Sequence, residues 1–282
     1  MLGRGVHPEY FKDLTKIPSV FLGPGGTDSA WWYLVFKNVI CKSEIPVPAV
    51  AIFFRDNELT DPSSRVTGEF QPRLDELCEK EEPVLDRLAY FNNMSNFELM
   101  LSSYWPLYQK RTGVKDKFDS LIKENMMSVF FNQQIDDMEN ATQRLFADTN
   151  MNQQLFTKYQ FETDKISKKS EFDFVKKVKT SFLPEIISLA KQNNIKLIFV
   201  RVKKRRDVIP NSQPTELIAY IKDLREYFIQ HNIIFIDYTN DRHIKEENYS
   251  DGDHQDNPNG LMTFTELIAD TLPQLLSSKL IP

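Results

Sequence analysis

The sequence predicts an α/β protein, and two observations support this prediction. Four short runs rich in β-branched and aromatic residues alternate along the chain with longer, helix-like segments. Each run is nearly all apolar rather than alternating, which is typical of parallel strands that are covered on both faces. The alternation of strands and helices therefore indicates a parallel sheet with right-handed crossover connections.

The four predicted strands end in loops that should meet. The strands are PSVFL at residues 18–22, AVAIFF at 49–54, KLIFV at 196–200 and IIFID at 233–237. Open parallel sheets bind their ligands beyond the carboxyl ends of the strands. We therefore expect the loops after these strands to bring glycine amides, an asparagine, arginines and an Asp/His segment to one edge.

Four helical patterns accompany these strands, at residues 27–42, 170–194, 214–232 and 260–278. In the first pattern, Thr27, Asp28 and Ser29 suit an N-cap and a first helical turn. In the second pattern, Pro184 predicts a kink, because proline cannot donate a backbone hydrogen bond inside a helix.

The chain divides into an α/β domain and an insertion. The second and third predicted strands are separated by far more residues than one crossover connection needs. We assign residues 1–71 and 166–282 to the α/β domain, and residues 72–165 to a helical insertion packed over one end of the sheet.

The composition excludes several classes of protein. The chain has 282 residues, of which 41% are hydrophobic and 27% charged, as in soluble globular proteins. Its net charge of -5 at pH 7 argues against nucleic acid as a partner. Cys41 and Cys78 fit neither a disulfide framework nor a metal-binding spacing. No segment has the apolar run of a signal peptide or of a membrane-spanning helix.

Three short blocks carry a resemblance to a known superfamily. GPGG precedes the first helix and supplies Gly25 and Gly26, and RDNE follows the second strand and contains Asn57. DGDH follows the fourth strand and supplies Asp251 and His254. The order of these blocks, their spacing from the strands and the closing helix resemble the SGNH (GDSL-type) hydrolases, especially the divergent branch related to alginate-type sugar O-acetyltransferases.

This resemblance implies a three-layer α/β/α, flavodoxin-like domain with a mostly parallel sheet and acyl-ester chemistry, either O-acyl hydrolysis or O-acetyl transfer onto a glycan. His254 would be the general base and Asp251 would orient its ring. Asn57 and Gly26, or its neighbour Gly25, would donate hydrogen bonds to an oxyanion, and each such donor contributes about 3 kcal/mol. No cofactor is implied. A metal site at DGDHQD is not predicted, because the segment lacks the pattern of a calcium loop.

The resemblance also implies partners and a location. The implied partners are an acylated small molecule or glycan and a membrane-bound acyltransferase. The implied location is outside the cytoplasm, behind an N-terminal anchor that the sequence as given does not contain. The oligomeric state stays open.

The nucleophilic serine of this superfamily has no counterpart in the sequence. That serine follows the first strand of the family, whereas this chain begins MLGRGVHPEYF, with neither the strand nor the serine. Three explanations stay open: a truncated sequence, a pseudoenzyme or a replacement nucleophile. Ser29 is the candidate replacement, although its position also suits a helix first turn. On the other two explanations the chain as given is inactive, and the non-catalytic alternative is a binding or assembly module on the same fold.

Two arginines and the missing first strand give further expectations. Arg55 replaces a glycine of the family, and with Arg201 it could contact an anionic substrate such as an acidic sugar. The basic run at residues 203–206 suits a solvated loop equally well. Without the family's central first strand, the strands at 18–22 and 49–54 must pair directly, leave a gap or borrow a strand from another chain.

Overall fold

The computed structural model of the chain describes residues 5–23, 26–79, 81–90, 172–250, 254–255 and 258–277. Most of the helical insertion predicted at residues 72–165 lies outside these ranges, so the domain boundaries stay a prediction.

Three parallel strands form the sheet of the described residues. β1 is Ala49–Phe54, β2 is Lys196–Arg201 and β3 is Ile234–Asp237. The strands lie side by side in the order β1-β2-β3, and both pairs are parallel, with Arg201 opposite Asp237. This arrangement confirms the α/β class and three of the four predicted strands.

The run at residues 18–22, the first of the four predicted strands, is not a strand, so this prediction was wrong. Phe21 contacts Phe11 edge to face, with 5.8 Å between the ring centroids, whereas Val20 is 82% exposed. A β-branched and aromatic sequence favours a strand only where a neighbour pairs with it, and Pro18 cannot donate to such a ladder. Direct pairing of this run with β1 therefore does not occur, and β1 is an edge strand of the described sheet.

Eight α-helices accompany the sheet in the described ranges: α1 Pro8–Thr15, α2 Ser29–Leu34, α3 Gln71–Asp75, α4 Pro83–Leu85, α5 Phe174–Lys177, α6 Leu183–Gln192, α7 Thr215–Gln230 and α8 Pro258–Ser277. π-Helical turns extend α2 through Val35–Ile40 and α4 through Asp86–Tyr90. Asp28 is the N-cap of α2, as predicted. Every helix in these ranges is too short or too polar to cross a lipid bilayer.

Pro184 begins a helix rather than kinking one, so this expectation was wrong. The segment predicted as one helix contains α5, a 3-10 turn at Val178–Thr180 and a separate helix, α6. Pro184 stands in the first turn of α6. A proline is accommodated there because the first N–H groups of a helix have no acceptor inside the helix.

Apolar clusters cover both faces of the sheet, as the near-continuous apolar strands predicted. One cluster combines residues of α2, α6 and α7 with Ile52 and Phe54 of β1. The second combines residues of α1 and α8 with Phe53 of β1 and Val200 of β2. Because successive side chains of a strand point to opposite faces, helices pack on both sides and the strand ends are left for polar residues.

Candidate functional site

The loops after the three strands bring charged residues to one edge of the sheet, called the carboxyl edge below. Arg55 and Asp56 follow β1, Lys203 and Lys204 follow β2 within a few residues, and Asp237 ends β3. Parallel strands end at the same edge, so these residues lie where open α/β sheets bind their ligands. The carboxyl edge is therefore the candidate site.

Asp56 links the loop after β1 to the loop after β2. Its Oδ1 lies 2.6 Å from Arg206 Nη2, and its Oδ2 lies 2.9 Å from Lys204 Nζ. Burial raises the pKa of this carboxyl, but the two cations outweigh burial and lower the pKa below its ordinary value. The φ angle of Asp56 is 44°, a left-handed conformation that non-glycine residues rarely adopt. These contacts fix the backbone immediately before Asn57.

The two arginines predicted to face an anionic substrate are held by protein side chains. Arg201 is 2% exposed and donates from Nη1 to Asp237 Oδ2 (3.3 Å) and from Nη2 to Gln213 Oε1 (3.1 Å). Arg55 is 6% exposed, and its Nε lies 3.5 Å from Glu58 Oε1. Both guanidinium groups are therefore buried beside protein side chains, and both stabilise the carboxyl edge.

The glycine turn joins α2 to the loop after β1. Gly26 has a φ of 78°, and a Cβ atom added there would lie 3.1 Å from the Phe70 ring, so the position favours glycine. Asp28 Oδ1 accepts from the backbone N–H of Ser29 at 2.9 Å. Ser29 is 1% exposed, and its Oγ donates to the Asp61 carbonyl at 2.9 Å. This geometry supports the helix-first-turn interpretation of Ser29.

Asp28 is a buried carboxyl beside a second carboxyl, that of Glu58. Burial, and then the negative charge of Glu58, raise the pKa of Asp28 from 3.8 to about 8, although hydrogen bonds from Ser64 and Ser29 oppose the shift. Burial raises the pKa of Glu58 as well. Asp28 therefore holds a proton at neutral pH, a property that its role as a helix cap did not predict.

Asn57 lies half-buried in a loop that is anchored on both sides. On one side, Asp56 is ion-paired with the loop after β2. On the other side, the Asn57 carbonyl accepts from the Thr60 N–H at 2.9 Å. Thr60 Oγ1 lies 3.0 Å from Tyr220 Oη of α7, and both side chains are buried. The position of Asn57 is thus set by contacts with two other elements.

The loop that carries His254 packs onto the loop after β2. Gln255 is buried and donates from Nε2 to the Lys203 carbonyl at 3.2 Å. Tyr249 Oη donates to the same carbonyl at 2.7 Å. The His254 carbonyl accepts from the Ser250 N–H at 2.9 Å. These bonds hold the half-buried His254 at the carboxyl edge.

A short series of contacts joins the three predicted blocks. Lys203 bonds to the residue after His254. The next residue, Lys204, is ion-paired with the residue before Asn57. The glycine turn reaches the loop after β1 through the Ser29 hydroxyl. Gln255 and Asp56, the neighbours of His254 and Asn57, are therefore both attached to the loop after β2, and Ser29 attaches the first turn of α2 to the loop after β1.

The basic run after β2 is mostly buried rather than solvated. Lys203 is 6% exposed, and the side chains of Lys204 and Arg206 are 16% and 11% exposed. Arg205, which pairs with the exposed Glu246, fits the solvated-loop interpretation. Asp56 compensates the charges of Lys204 and Arg206, and two backbone carbonyls accept from Lys203, because buried cations need acceptors or opposite charges nearby.

Two predicted site residues, Gly25 and Asp251, lie outside the described residues. The Asp251–His254 pair therefore stays a prediction. Within the described ranges, no group of three His, Cys, Asp or Glu side chains is placed to bind a metal ion.

The fold and this edge define an α/β protein with an ion-paired polar site beyond the carboxyl ends of a parallel sheet. No family model, curated protein or solved structure matches the chain. Its function must therefore be inferred from the residues of the site.

Proposed function

We propose that the carboxyl edge binds an acyl ester of a glycan, and that its residues belong to acyl-ester chemistry on an SGNH-like, flavodoxin-like domain. The observation that carries this proposal is the series of contacts through Lys203 and Lys204, which connects the loops of His254 and Asn57. A general base and an oxyanion donor must share one site to act on the same ester. The parallel order of β1, β2 and β3 supports the same arrangement.

Each residue of the site has a role in this proposal. The imidazole of His254 accepts a proton from the attacking hydroxyl, and Asp251 orients the ring. The oxyanion of the tetrahedral intermediate receives hydrogen bonds from the Asn57 side-chain amide and from the backbone N–H of Gly26 or Gly25. Such pre-organised donors stabilise the transition state more than the ground state.

Ser29 is not the nucleophile in this proposal. Its hydroxyl is buried and donates to the Asp61 carbonyl, whereas a nucleophile must reach both the ester and the base. The serine of a Ser-His-Asp mechanism is therefore assigned to none of the described residues. Turnover of esters by this chain is accordingly expected to be slow or absent, and binding is the property to test first.

A tetrahedral anion distinguishes oxyanion stabilisation from simple sugar binding. We expect a methylphosphonate ester of an oligouronate to bind the chain, and Asn57→Ala to weaken its affinity about 100-fold, because an oxyanion donor contributes about 3 kcal/mol. The affinity for the corresponding planar acetyl ester should change much less. Isothermal titration calorimetry measures both affinities.

The matched control is Asn193→Ala. Asn193 follows α6 and precedes β2, so it lies at the opposite edge of the sheet. Equal affinity of Asn57→Ala, His254→Ala and Asn193→Ala for the phosphonate would reject the proposal. A fluorophosphonate should leave Ser29 unlabelled, and covalent labelling of Ser29 would overturn its assignment to a structural role.

A non-catalytic binding or assembly module is the second candidate, and Arg55 favours it. In the resembled family this position is glycine, whereas here it carries a buried guanidinium beside Glu58. A bulky side chain takes up space next to the proposed oxyanion donors. A binding module has no reason to prefer a tetrahedral anion, so equal affinities of the unsubstituted chain for the phosphonate and the acetyl ester would favour this candidate.

A further inference from the structure

Lys203 is a buried residue that makes four hydrogen bonds to the segment after β3, whose described residues are 241–250, 254 and 255. Its Nζ donates to the carbonyl oxygens of Asp241 (2.8 Å) and Ile244 (2.9 Å). Its own carbonyl accepts from Tyr249 Oη (2.7 Å) and from Gln255 Nε2 (3.2 Å). Lys203 therefore binds this segment through four hydrogen bonds, and the last of them involves Gln255, the residue next to His254.

The position of Lys203 is unusual for a lysine. Lysine is almost never buried unless its charge is compensated, and here two backbone carbonyls accept from the ammonium group. Burial lowers the pKa of Lys203, and the charges of Asp207 and Asp241 oppose that shift. A methionine would fill the same space without the cost of a buried charge. The lysine is therefore best explained by the hydrogen bonds of its ammonium group.

The residue after Lys203 is Lys204, whose side chain contacts the loop that carries Asn57. Lys204 Nζ lies 2.9 Å from Asp56 Oδ2, in the loop of Asn57. Two consecutive residues thus attach the histidine loop and the asparagine loop to the end of one strand, β2. A change in the first attachment should move the histidine loop while the asparagine loop keeps its own attachment.

We infer that Lys203 is a positioning residue, which holds His254 at the carboxyl edge so that the imidazole can share a ligand with Asn57. This inference rests on the proposed function for its purpose, but the positioning itself is independent of turnover. When Lys203 Nζ is removed, the carbonyls of Asp241 and Ile244 lose their donor, and the loop can exchange with open conformations. Affinity for a ligand that needs the closed loop falls in proportion to the closed fraction.

The test compares Lys203→Met with Lys245→Met by NMR of the histidine rings. Lys245 lies on the same loop, but its side chain is 66% exposed, so its substitution removes an equal charge without a buried contact. The chain contains four histidines, and His254→Ala assigns the ring signal of interest. We expect the His254 ring signal to shift or broaden in Lys203→Met and to stay unchanged in Lys245→Met. An unchanged His254 signal in a folded Lys203→Met variant would overturn the inference.

Tyr249→Phe covers the case in which Lys203→Met does not fold. It deletes one of the four hydrogen bonds and keeps the aromatic ring. We expect a smaller displacement of the same His254 signal, and no displacement would overturn the inference.

Binding of the phosphonate ester separates this inference from the proposed function. We expect the affinity of Lys203→Met to fall about tenfold if the closed loop is populated one tenth of the time. A displaced His254 signal with unchanged phosphonate affinity would support positioning by Lys203 and reject the role of His254 in ligand binding.

Discussion

Asp28 is buried and the side chain of Asp56 is 16% exposed, and the pKa values of these two carboxyls shift in opposite directions. Asp56 lies between Lys204 and Arg206, and its pKa is lowered. Asp28 lies beside Glu58, and its pKa is raised to about 8. Burial acts in the same direction on both groups, so the difference comes from the sign of the neighbouring charge.

The contacts that these two carboxyls make should therefore depend differently on pH. Asp56 connects the loops after β1 and β2, and it stays ionised at neutral and alkaline pH. Asp28 lies between the glycine turn and the loop after β1, and it ionises as the pH rises towards 8. We therefore expect the glycine turn to loosen at alkaline pH before the rest of the site.

The substitution expected to have the largest effect is Asp56→Asn. Asparagine tolerates the left-handed backbone of this position, so the change removes the charge and keeps the conformation. We expect the free energy of unfolding at pH 7 to fall by about 3 kcal/mol, because two largely buried cations lose their shared carboxylate. Urea denaturation followed by circular dichroism measures this loss.

The pH dependence of the Asp56→Asn effect provides its control. Because the folded-state pKa of Asp56 is lowered, its contribution is present above the ordinary pKa of aspartate and is lost as the pH falls through the folded-state pKa. The difference between the variant and the unsubstituted chain should therefore shrink in acid. A loss at pH 7 below about 1 kcal/mol, as for exposed ion pairs, would contradict this account.

Asp28→Asn should act in the opposite direction. Asparagine is as good an N-cap as aspartate, so the change removes the ionisation and keeps the cap. The folded-state pKa of Asp28 is raised from 3.8 to about 8, so the stability contributed by its proton is complete below pH 3.8 and is lost as the pH rises towards 8. We expect the variant to be more stable than the unsubstituted chain at pH 8, and equally stable near pH 4. Denaturation curves at several pH values measure this, and parallel pH profiles for the two proteins would show that Asp28 does not carry the proton.

Tyr220→Phe tests a neutral contact of the same loop and should have a smaller effect. It deletes the buried hydrogen bond between Tyr220 Oη and Thr60 Oγ1. We expect a loss of about 1 kcal/mol in the free energy of unfolding, with no dependence on pH between 5 and 8. Tyr227→Phe on the same helix is the matched control, because its hydroxyl has no hydrogen-bond partner among the described residues. Equal losses for the two variants would mean that the Thr60 contact contributes nothing specific.

Glu246→Gln should have the smallest effect. Glu246 pairs with Arg205, but its side chain is 67% exposed, so water and salt screen the interaction. We expect a change within about 0.5 kcal/mol in the same denaturation assay. A loss as large as that of Asp56→Asn would show that burial does not determine the strength of the ion pairs at this edge.

The sequence predicted the parts of the fold that depend on local pattern. AVAIFF, KLIFV and IIFID are apolar on both faces and form β1, β2 and β3 within one residue of the predicted ends. Asp28 caps α2 as its residue type predicted. The run PSVFL has the same local pattern, but a strand also needs a neighbour to pair with, and no such information is present in the run itself.

The electrostatic part of the site was less predictable. The resemblance directed attention to His254, Asn57 and Gly26, and neighbours of these residues contact the loops after β1 and β2. The burial of Lys203 and Lys204 depends on acceptors from distant segments, and these became visible only when the loops were placed together. The raised pKa of Asp28 likewise depends on burial and on Glu58, which follows β1. Local sequence carries little information about such pairings.

The most direct test of the account is a single NMR titration of the chain with the methylphosphonate ester of an oligouronate. The central claim is that one ligand contacts His254, Asn57 and Gly26. We predict that the His254 ring, the Asn57 side-chain amide and the Gly26 backbone amide shift together and give one dissociation constant. Shifts confined to one of these residues, or different dissociation constants for the three, would contradict the claim.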